Sequence, residues 1–472
     1  GTAGPRGAPW WFTVAKVVVF GAGYVGLVQA AGLAAIGHDV VLIDLDSRKL
    51  ALLQEGKVPF YEPGLEELLE EVRAQKTLRF HDSSAAPCTV DVAGAELIFV
   101  AVGTPPMPDG SADTSQIMAV VNQVSGILEH VASAPVLHQA LVIKSTVPPG
   151  TAARVRERLP RTVAVLSNPE FLREGQALHD FFHPDRIVIG CSDTDIVPAR
   201  GLAAAYGTSR PPRNIRTCQV LITSNCSAEL VKYASNTMLA MRISFANEVA
   251  QLCEELDADV RDVTRGMGLD RRIGPAFLEA GIGWGGSCFG KDVSSFADVA
   301  RKAGLSPRLA AATIAVNEQQ RLRVVQKVFR HFAPGVLKKV AVWGIAFKPE
   351  TDDIRDSPAL DVIDALSRSG VEVVAYDPLV PFGSDSPLMN HLLSTIRHGP
   401  SAAKFSVVNT IEASLVGAQA VVVCTAGDEF RERQGLIAPA GVELVVDGRN
   451  LLNWIDLRAA GRAAKPRRKL LT

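Results

Sequence analysis

A strand-like run followed by a glycine turn lies near the start of the chain and reads Val17-Val18-Val19-Phe20-Gly21-Ala22-Gly23-Tyr24-Val25-Gly26. Its first four residues predict a buried strand, and the glycines that follow have the spacing GxGxxG. A helical pattern then runs to about Ile36, and a second strand ends at Asp44, 23 residues after Gly21. This order of strand, glycine turn, helix, strand and acid is the dinucleotide-binding fingerprint of a Rossmann fold.

The residues of this turn have distinct predicted roles in holding a dinucleotide. Gly21 permits the tight turn, Gly23 lets a pyrophosphate approach the backbone, and Gly26 allows the helix to pack on the strand. The helix N-terminus points free N–H groups and a positive dipole end at the phosphates. Asp44 is expected to bind the ribose hydroxyls and repel a 2′-phosphate, which favours NAD. Arg48 and Lys49 follow closely, so NADP stays as the alternative.

Composition narrows the class of protein further. The chain has 472 residues, 47% of them hydrophobic, and its 49 basic and 50 acidic residues leave a net charge of −1. A chain this balanced has no bulk positive field for nucleic acid or an anionic membrane, and no apolar run reaches the ~20 residues that span a bilayer. The seven cysteines show neither CxxC pairs nor metal-ligand spacing. We therefore expect a reduced, cytoplasmic protein without a metal site.

Strand-like and helix-like runs alternate up to about residue 200 and again after residue 335, with a helical region between them. Alternation of this kind predicts parallel sheets covered on both faces, and the run Ile187–Ile189 is included in the first sheet. The predicted fold class is α/β, with two doubly wound Rossmann-like domains joined by a long central helix and a helical dimerisation region. The predicted domain boundaries are 14–210, 224–330 and 335–460.

The central helix is predicted from an apolar stripe at three- and four-residue steps. The stripe consists of Met238, Met241, Phe245, Val249, Leu252 and Leu256. It is suited to pairing with its copy in a second subunit. Glu229, Lys232 and Asn236 lie together on the opposite face of this helix. The simple interpretation of this face is a solvated surface, and the alternative is a functional site.

The most unusual segment is Gly281-Ile282-Gly283-Trp284-Gly285-Gly286-Ser287-Cys288. Four glycines in six residues bring the backbone close to a ligand, which we expect to be a sugar or phosphate. Ser287 is a candidate N-cap for the next helix, which places Cys288 in the first turn and Asp292 on the same face. A helix N-terminus stabilises a thiolate, which favours a nucleophile over a buried structural cysteine.

These segments together resemble the UDP-glucose/GDP-mannose dehydrogenase family over about residues 15–455. Within that family, five segments look most like the members that oxidise UDP-glucose. They are Asn168–Gly175, Pro184–Gly190, Phe277-Leu278, the glycine-rich loop to Cys288, and Gly344–Lys348. The resemblance implies four-electron oxidation of UDP-glucose to UDP-glucuronate with two NAD⁺.

The resemblance also assigns the catalytic roles. Cys288 is the nucleophile that forms a thiohemiacetal and then a thioester. Lys232 and Asn236 stabilise oxyanion character, and Asp292 organises the water and the ammonium. Glu170 and Thr146 bracket a water that serves the acid and base steps.

Contacts with cofactor and substrate carry over in the same way. The implied cofactor contacts are Gly21, Gly23, Tyr24, Val25, Gly26, Asp44, Lys49, Thr104, Thr146, Glu174, Lys291 and Arg355. The implied substrate contacts are Glu170, Phe171, Leu172, Arg173, Lys232, Asn236, Arg272, Phe277, Gly281, Gly285, Cys288, Phe347, Lys348 and Arg449. Arg272 matches an arginine that reaches the partner subunit's site, so a homodimer or higher homo-oligomer is implied.

Three other functions remain open at this point. A sister activity on GDP-mannose or a UDP-N-acetylhexosamine would use the same Cys, Lys and Asn. A two-electron β-hydroxyacid dehydrogenase would share the first Rossmann half but would not need Cys288. A nucleotide-sugar-binding regulator would keep the fold without turnover.

Overall fold

The computed structural model describes residues 14–130, 139–207, 218–380 and 405–453. The chain divides into two compact units, residues 1–235 and 236–472. The predicted division into three domains stays a prediction, and its positions 208–210 and 454–460 lie outside the described residues. No helix in the described ranges is long and apolar enough to cross a membrane.

The first unit is built on an eight-stranded sheet in the order β3-β2-β1-β4-β5-β6-β7-β8. The strands are β1 (Lys16–Phe20), β2 (Asp39–Asp44), β3 (Leu78–Asp82), β4 (Leu97–Val100), β5 (Ala140–Ile143), β6 (Ala164–Ser167), β7 (Arg186–Cys191) and β8 (Gln219–Ser224). The first six are parallel, which confirms the doubly wound Rossmann prediction.

The last two strands correct the prediction of an entirely parallel sheet. β7 pairs antiparallel with β6 through Ser167 and Gly190, and β8 is parallel to β7. The connection between β6 and β7 contains a helix of only six residues, about 9 Å long. The helix between the parallel strands β5 and β6 also has six residues, so helix length alone does not set the direction of β7.

Helices cover both faces of this sheet. They are α1 (Tyr24–Ala35), α2 (Ser47–Gln54), α3 (Leu65–Ala74), α4 (Thr89–Gly94), α5 (Ser115–His130), α6 (Thr151–Arg156), α7 (Ala177–Phe182) and α8 (Ile196–Gly207). Along β1, Val17 and Val19 enter one hydrophobic core, whereas Val18 and Phe20 enter the other. This period of two explains why a strand buried on both faces reads as an unbroken aliphatic run.

In the second unit, a group of helices precedes a five-stranded parallel sheet, and further helices lie between the strands of that sheet. The helices are α10 (Val260–Gly268), α11 (Gly286–Lys302), α12 (Arg308–His331), α13 (Pro358–Arg368), α14 (Ile411–Leu415) and α15 (Asp428–Glu432). The strands are β9 (Lys339–Trp343), β10 (Glu372–Tyr376), β11 (Phe405–Val407), β12 (Ala420–Val423) and β13 (Leu444–Asp447).

The sheet order in the second unit is β11-β10-β9-β12-β13. Val340 and Val342 of β9 face one core and Ala341 and Trp343 the other, so this sheet is also covered on both faces and the second Rossmann-like prediction is confirmed. The predicted long central helix is α9 (Asn225–Leu256), which has 32 residues.

Candidate active site

The glycine turn has the shape that a pyrophosphate requires. Gly21 has a φ of +100°, and a β-carbon there would lie 2.7 Å from the carbonyl oxygen of Ala101. A β-carbon at Gly26 would lie 1.8 Å from the carbonyl oxygen of Gly21. At Gly23, in contrast, an added β-carbon would have nothing within 4 Å. The backbone is therefore open to a ligand where a phosphate is expected to approach.

The N-terminus of α1 is also suited to an anion. Gly23 occupies the N-cap, makes no side-chain capping bond, and the first turn carries no acidic residue. The uncapped N–H groups and the positive dipole end therefore remain available to the phosphates of a dinucleotide. The residues present fit NAD.

Asp44 is tied to the glycine turn that precedes it. One of its carboxylate oxygens accepts a hydrogen bond from the Ala22 N–H at 2.6 Å, and the other accepts one from the Asp46 N–H at 2.9 Å. The Lys49 ammonium lies 3.5 Å from the Asp44 carboxylate. Arg48 is 93% exposed and pairs with Asp46, so Arg48 and Lys49, the two basic residues that kept NADP open, each have an acidic partner.

Tyr24 contributes to the turn in a way that its sequence position does not reveal. Its hydroxyl donates to the buried carboxylate of Glu62, and the Gly175 N–H donates to both, at 2.7 Å in each case. Burial and the hydrogen bond to Glu62 raise the pKa of Tyr24. Glu62 thus joins the cofactor turn to the loop that carries Glu170 and Glu174.

Glu170 and Lys232 form a buried ion pair at the carboxyl edge of the first sheet. Their side-chain N–O distance is 2.7 Å, and the side chains are 6% and 5% exposed. The other Glu170 oxygen accepts from the Leu172 N–H at 2.7 Å. Burial alone would raise the pKa of Glu170, but the charge of Lys232 and the hydrogen bond from its ammonium outweigh it, so the pKa lies below its ordinary value.

Thr146 follows β5 at the same edge. Its carbonyl oxygen accepts a hydrogen bond from the Thr104 hydroxyl at 2.9 Å. A small cavity with room for about one water molecule is lined by Thr146 and Lys232, among other residues. The structure therefore brings Thr146, Glu170 and Lys232 into one region, as the resemblance implies.

The interpretation of Glu229, Lys232 and Asn236 as a solvated surface is wrong. They are 3%, 4% and 7% exposed, while Phe245 on the apolar stripe is 52% exposed. Glu229 accepts hydrogen bonds from the N–H groups of Gly150, at 2.6 Å, and Ala152, at 2.8 Å, so it caps the start of α6. Its role in the first unit is to hold the segment that follows Thr146.

In the second unit, Asn236 and Lys291 hold the carboxylate of Asp292. The Asn236 amide donates to one oxygen at 2.6 Å and the Lys291 ammonium to the other at 2.6 Å. Asp292 is fully buried, so both partners compensate a charge that would otherwise be costly to bury. Lys291, implied as a cofactor contact, lies within this cluster.

Cys288 is the third residue of α11, and its side chain is exposed. The predicted N-cap at Ser287 is wrong, because the helix begins at Gly286 with Gly285 at its N-cap. Gly286 has a φ of +86°, and a β-carbon there would lie 2.7 Å from the ring of Phe347. The close approach of Phe347 therefore sets where the helix starts. The prediction of Cys288 in the first turn is confirmed.

Buried amides hold the glycine-rich loop that leads to Cys288. The Asn247 side-chain oxygen accepts from the Gly281 N–H at 2.7 Å, and the Gln320 amide donates to the Gly281 carbonyl at 2.6 Å. Asn317 accepts from the Trp284 N–H and donates to its carbonyl oxygen. These amides were not among the residues predicted from the sequence. The sequence feature that could have indicated them is the presence of three polar residues within long helices.

Several implied substrate contacts meet beside this loop. The Arg449 guanidinium donates to the Cys424 carbonyl oxygen at 2.7 Å, and it lies 2.9 Å from where a Gly281 β-carbon would be. A β-carbon at Gly285 would lie 2.0 Å from the Asp356 carbonyl oxygen. The structure thus brings Gly281 and Arg449 together and packs Gly285 tightly.

Three other implied arginine contacts pair with nearby aspartates. Arg173 pairs with Asp180, Arg272 with Asp270 and Arg355 with Asp353. The Arg272 side chain is 89% exposed.

The remaining substrate candidates have varied surroundings. Phe171 lies under the Arg186 guanidinium at 3.9 Å, and Phe277 has a φ of +61°. Lys348 lies 5.8 Å from the ring of Phe347, and Leu172 packs against the first core. All their proposed roles stay predictions.

The chain is similar to known proteins along most of its length. Models of the UDP-glucose/GDP-mannose dehydrogenase family match residues 15–206 as the NAD binding domain, 226–319 as the central domain and 341–454 as the UDP binding domain. The UDP-glucose 6-dehydrogenase of Pseudomonas aeruginosa is 39% identical over 453 residues, which cover 92% of this chain and 93% of that protein.

Two solved structures extend the similarity to the fold. A UDP-glucose dehydrogenase from Pyrobaculum islandicum is 36% identical with a TM-score of 0.80, and the match covers 96% of both chains. A UDP-D-ManNAc dehydrogenase from Pyrococcus horikoshii is 25% identical with a TM-score of 0.76, over 93% of this chain and 96% of that one.

The family models together match most of the chain, and the open glycine turn with its acid at Asp44 fits the cofactor that their first part names. The chain therefore belongs to the UDP-glucose/GDP-mannose dehydrogenase family and is an NAD-dependent oxidoreductase that acts on a nucleotide sugar.

Proposed function

We propose that the chain oxidises UDP-glucose to UDP-glucuronate in two successive two-electron steps. The observation that carries this proposal is the inward polar face of α9, which buries Lys232 beside Glu170 and Asn236 beside Asp292. A relative and a solved structure named for UDP-glucose, 39% and 36% identical to this chain, support the choice of sugar.

The glycine turn, the N-terminus of α1 and Asp44 would hold the cofactor. When bound, NAD⁺ supplies the hydride acceptor for each of the two oxidations. In the first step Lys232 and Asn236 stabilise the negative charge that develops on the C6 oxygen as its proton leaves. That proton passes to a water held by Glu170 and Thr146, and the substrate becomes an aldehyde.

Cys288 makes the second oxidation possible. An aldehyde has no hydride to give until a nucleophile adds to it. The thiolate forms a C–S bond while the carbonyl electron pair moves to oxygen, which gives a thiohemiacetal stabilised by Lys232. Loss of its hydride leaves a thioester.

Hydrolysis completes the reaction. A water organised by Asp292 attacks the thioester, the C–S bond breaks and Cys288 leaves as the thiolate. The overall balance is one alcohol, one water and two NAD⁺ converted to one carboxylate, two NADH and three protons. Every atom and electron is accounted for without a further reactant.

Product analysis with UDP-glucose and excess NAD⁺ tests this function. We expect UDP-glucuronate and two NADH for each sugar consumed. A ratio of one would instead indicate a two-electron dehydrogenase, and tight binding of UDP-glucose without turnover would indicate a regulator.

The sister activities are tested in parallel with GDP-mannose and UDP-N-acetylhexosamines. The similarity to a UDP-D-ManNAc dehydrogenase at 25% identity makes the latter the second candidate. A higher kcat/KM on either of these sugars than on UDP-glucose would overturn the proposed specificity.

We also propose that the active protein is a homodimer or a higher homo-oligomer. The apolar stripe on α9 supports this, because Met238, Phe245 and Leu252 are 54%, 52% and 59% exposed in the single chain. Large apolar side chains exposed along one helix are typical of a surface that a partner covers.

A further inference from the structure

Lys144 is a buried cation for which the mechanism above has no role. It follows β5 directly, at the edge where Thr146 and Glu170 lie, and is 7% exposed. Its ammonium donates to the side-chain oxygen of Asn168 at 3.1 Å and to the hydroxyl of Tyr206 at 3.2 Å. Both partners are neutral, so this buried charge has no carboxylate within hydrogen-bonding distance in the described ranges.

The partners of Lys144 belong to a connected network. The Tyr206 hydroxyl donates to Asn168 at 2.7 Å, and the Gln29 amide donates to Tyr206 at 3.0 Å. The Asn168 amide donates to the carbonyl oxygen of Val188 at 2.8 Å. Asn168 precedes Glu170 by two residues, so this network fixes the backbone from which Glu170 extends.

Electrostatics connect Lys144 with the ion pair itself. Burial lowers the pKa of Lys144 to about 7, with the charge of Glu170 opposing that decrease and the charge of Lys232 adding to it. In return, Lys144 is one of the cations that lower the pKa of Glu170. Below pH 7 Lys144 is mostly protonated, so the three side chains then carry two positive charges and one negative charge.

We propose that Lys144 is a positioning residue that holds the Asn168–Glu170 segment and, through its charge, keeps Glu170 ionised beside Lys232. This inference rests on the proposed role of Glu170 in acid and base catalysis. A neutral residue of similar shape could hold the segment but could not supply the charge, so the two parts of the proposal are separable by experiment.

Other charged groups near the cluster are accounted for. From α9, Lys232 contacts Glu170 directly, while Glu229 accepts hydrogen bonds from the backbone at the start of α6. From α8, Tyr206 is neutral because burial raises its pKa. From β7, Arg186 stacks on the Phe171 ring. Lys144 is thus the second cation acting on Glu170.

The test compares K144Q, which removes the charge but keeps an amide donor, with K144R, which keeps a charge. Removing a cation favours the protonated form of Glu170, so in K144Q the acid limb of kcat/KM should move to higher pH by about one unit. K144R should retain the limb of the unmodified enzyme. If K144Q does not fold, K144M provides the neutral variant.

Y206F is the matched control, because it removes a hydrogen bond from Lys144 without changing any charge. It should lower the melting temperature and leave the acid limb in place. An unmoved acid limb in K144Q, together with a loss of stability like that of Y206F, would show that Lys144 is only structural and would overturn the proposal.

A second readout separates this inference from the proposed function. Infrared difference spectroscopy of the ligand-free protein follows protonation of the Glu170 carboxyl, with E170Q identifying its band. Protonation should occur at higher pH in K144Q than in the unmodified protein. An unshifted Glu170 band would contradict the proposed effect of Lys144, whereas absence of turnover on every nucleotide sugar would contradict the proposed function alone.

Discussion

The proposed four-electron chemistry depends on Cys288. We expect Cys288→Ser to bind NAD⁺ and UDP-glucose but to stop before the second oxidation, because a serine hydroxyl is a much weaker nucleophile than a thiolate. Rapid-quench product analysis should show at most one NADH formed per site and no accumulation of UDP-glucuronate.

Cys226 provides the matched control for this experiment, because it is another exposed cysteine without a predicted role. Cys226→Ser should retain full turnover. Continuous UDP-glucuronate production by Cys288→Ser near the unmodified rate would refute the role of the thiol.

Lys232 has a proposed role as an oxyanion donor and is also the ion-pair partner of Glu170. Lys232→Ala should lower kcat by about 10²–10³-fold, the usual effect of removing one such donor. It also leaves a buried carboxylate unpaired, so the free energy of unfolding should fall by about 3–5 kcal/mol. Steady-state kinetics and urea unfolding measure the two effects.

The double variant K232A/E170Q distinguishes these effects. Neutralising Glu170 should recover part of the lost stability and none of the lost kcat. An unchanged kcat in Lys232→Ala would contradict its catalytic role.

The lowered pKa of Glu170 also leads to a prediction of how the stability of the protein depends on pH. Its pKa in the folded protein lies below the ordinary value of 4.5, so the folded state favours the carboxylate. The resulting stabilisation is fully present above about pH 4.5 and is lost as pH falls through the lower folded pKa. Thermal unfolding from pH 7 down to pH 3 should show this loss in the unmodified protein and less of it in E170Q.

At the scale of elements, the start of α11 depends on a glycine that no other residue replaces easily. Gly286→Ala places a β-carbon in a left-handed conformation and against the Phe347 ring. We expect a loss of about 1–3 kcal/mol in the free energy of unfolding and a higher KM for the nucleotide sugar.

Gly266→Ala is the control within the same unit, since a β-carbon at Gly266 in α10 meets nothing within 4 Å. This variant should be as stable as the unmodified protein or slightly more stable. Equal KM and melting temperature in both variants would show that the helix start tolerates displacement.

In α9 the sequence pattern predicts the helix but not which of its faces is buried. Its apolar stripe predicts a long helix, and the helix is present. The pattern does not say which face is covered within the chain, because both a polar and an apolar face can be buried when suitable partners exist. Here hydrogen bonds and ion pairs cover the polar face, whereas four of the six stripe residues stay exposed, namely Met238, Phe245, Leu252 and Leu256.

At the scale of the whole molecule, the exposed stripe leads to a prediction about assembly. Phe245→Glu places a charge in the proposed subunit interface, where burying it without a partner is costly. Light scattering after size-exclusion chromatography should find the unmodified protein as a dimer or larger and Phe245→Glu as a monomer.

Val90→Glu supplies the control for assembly, because Val90 is 85% exposed on α4 and is not part of the stripe. Its oligomeric state should match that of the unmodified chain. Retention of the oligomer by Phe245→Glu would place the interface elsewhere.

Much of the fold was accessible from local sequence signals. The glycine spacing with Asp44, the aliphatic runs of β1 and β9, and the stripe on α9 each follow from short-range chemistry. The first turn of α11 was likewise correctly located around Cys288. The reversed direction of β7 was not, since a short aliphatic run reads the same in a parallel and in an antiparallel strand.

Neighbouring residues are enough to predict the class of protein, because a glycine turn, strand periodicity and a cysteine after a glycine-rich loop are local features. The partners of the buried polar groups follow only from the folded chain, namely Glu62 with Gly175, Asn247 with Gly281 and Lys144 with Asn168. The physical reason is that a buried polar group is stable only beside a hydrogen-bonding partner. In these three cases the two partners lie 24 to 113 residues apart in the sequence, and only folding brings them together.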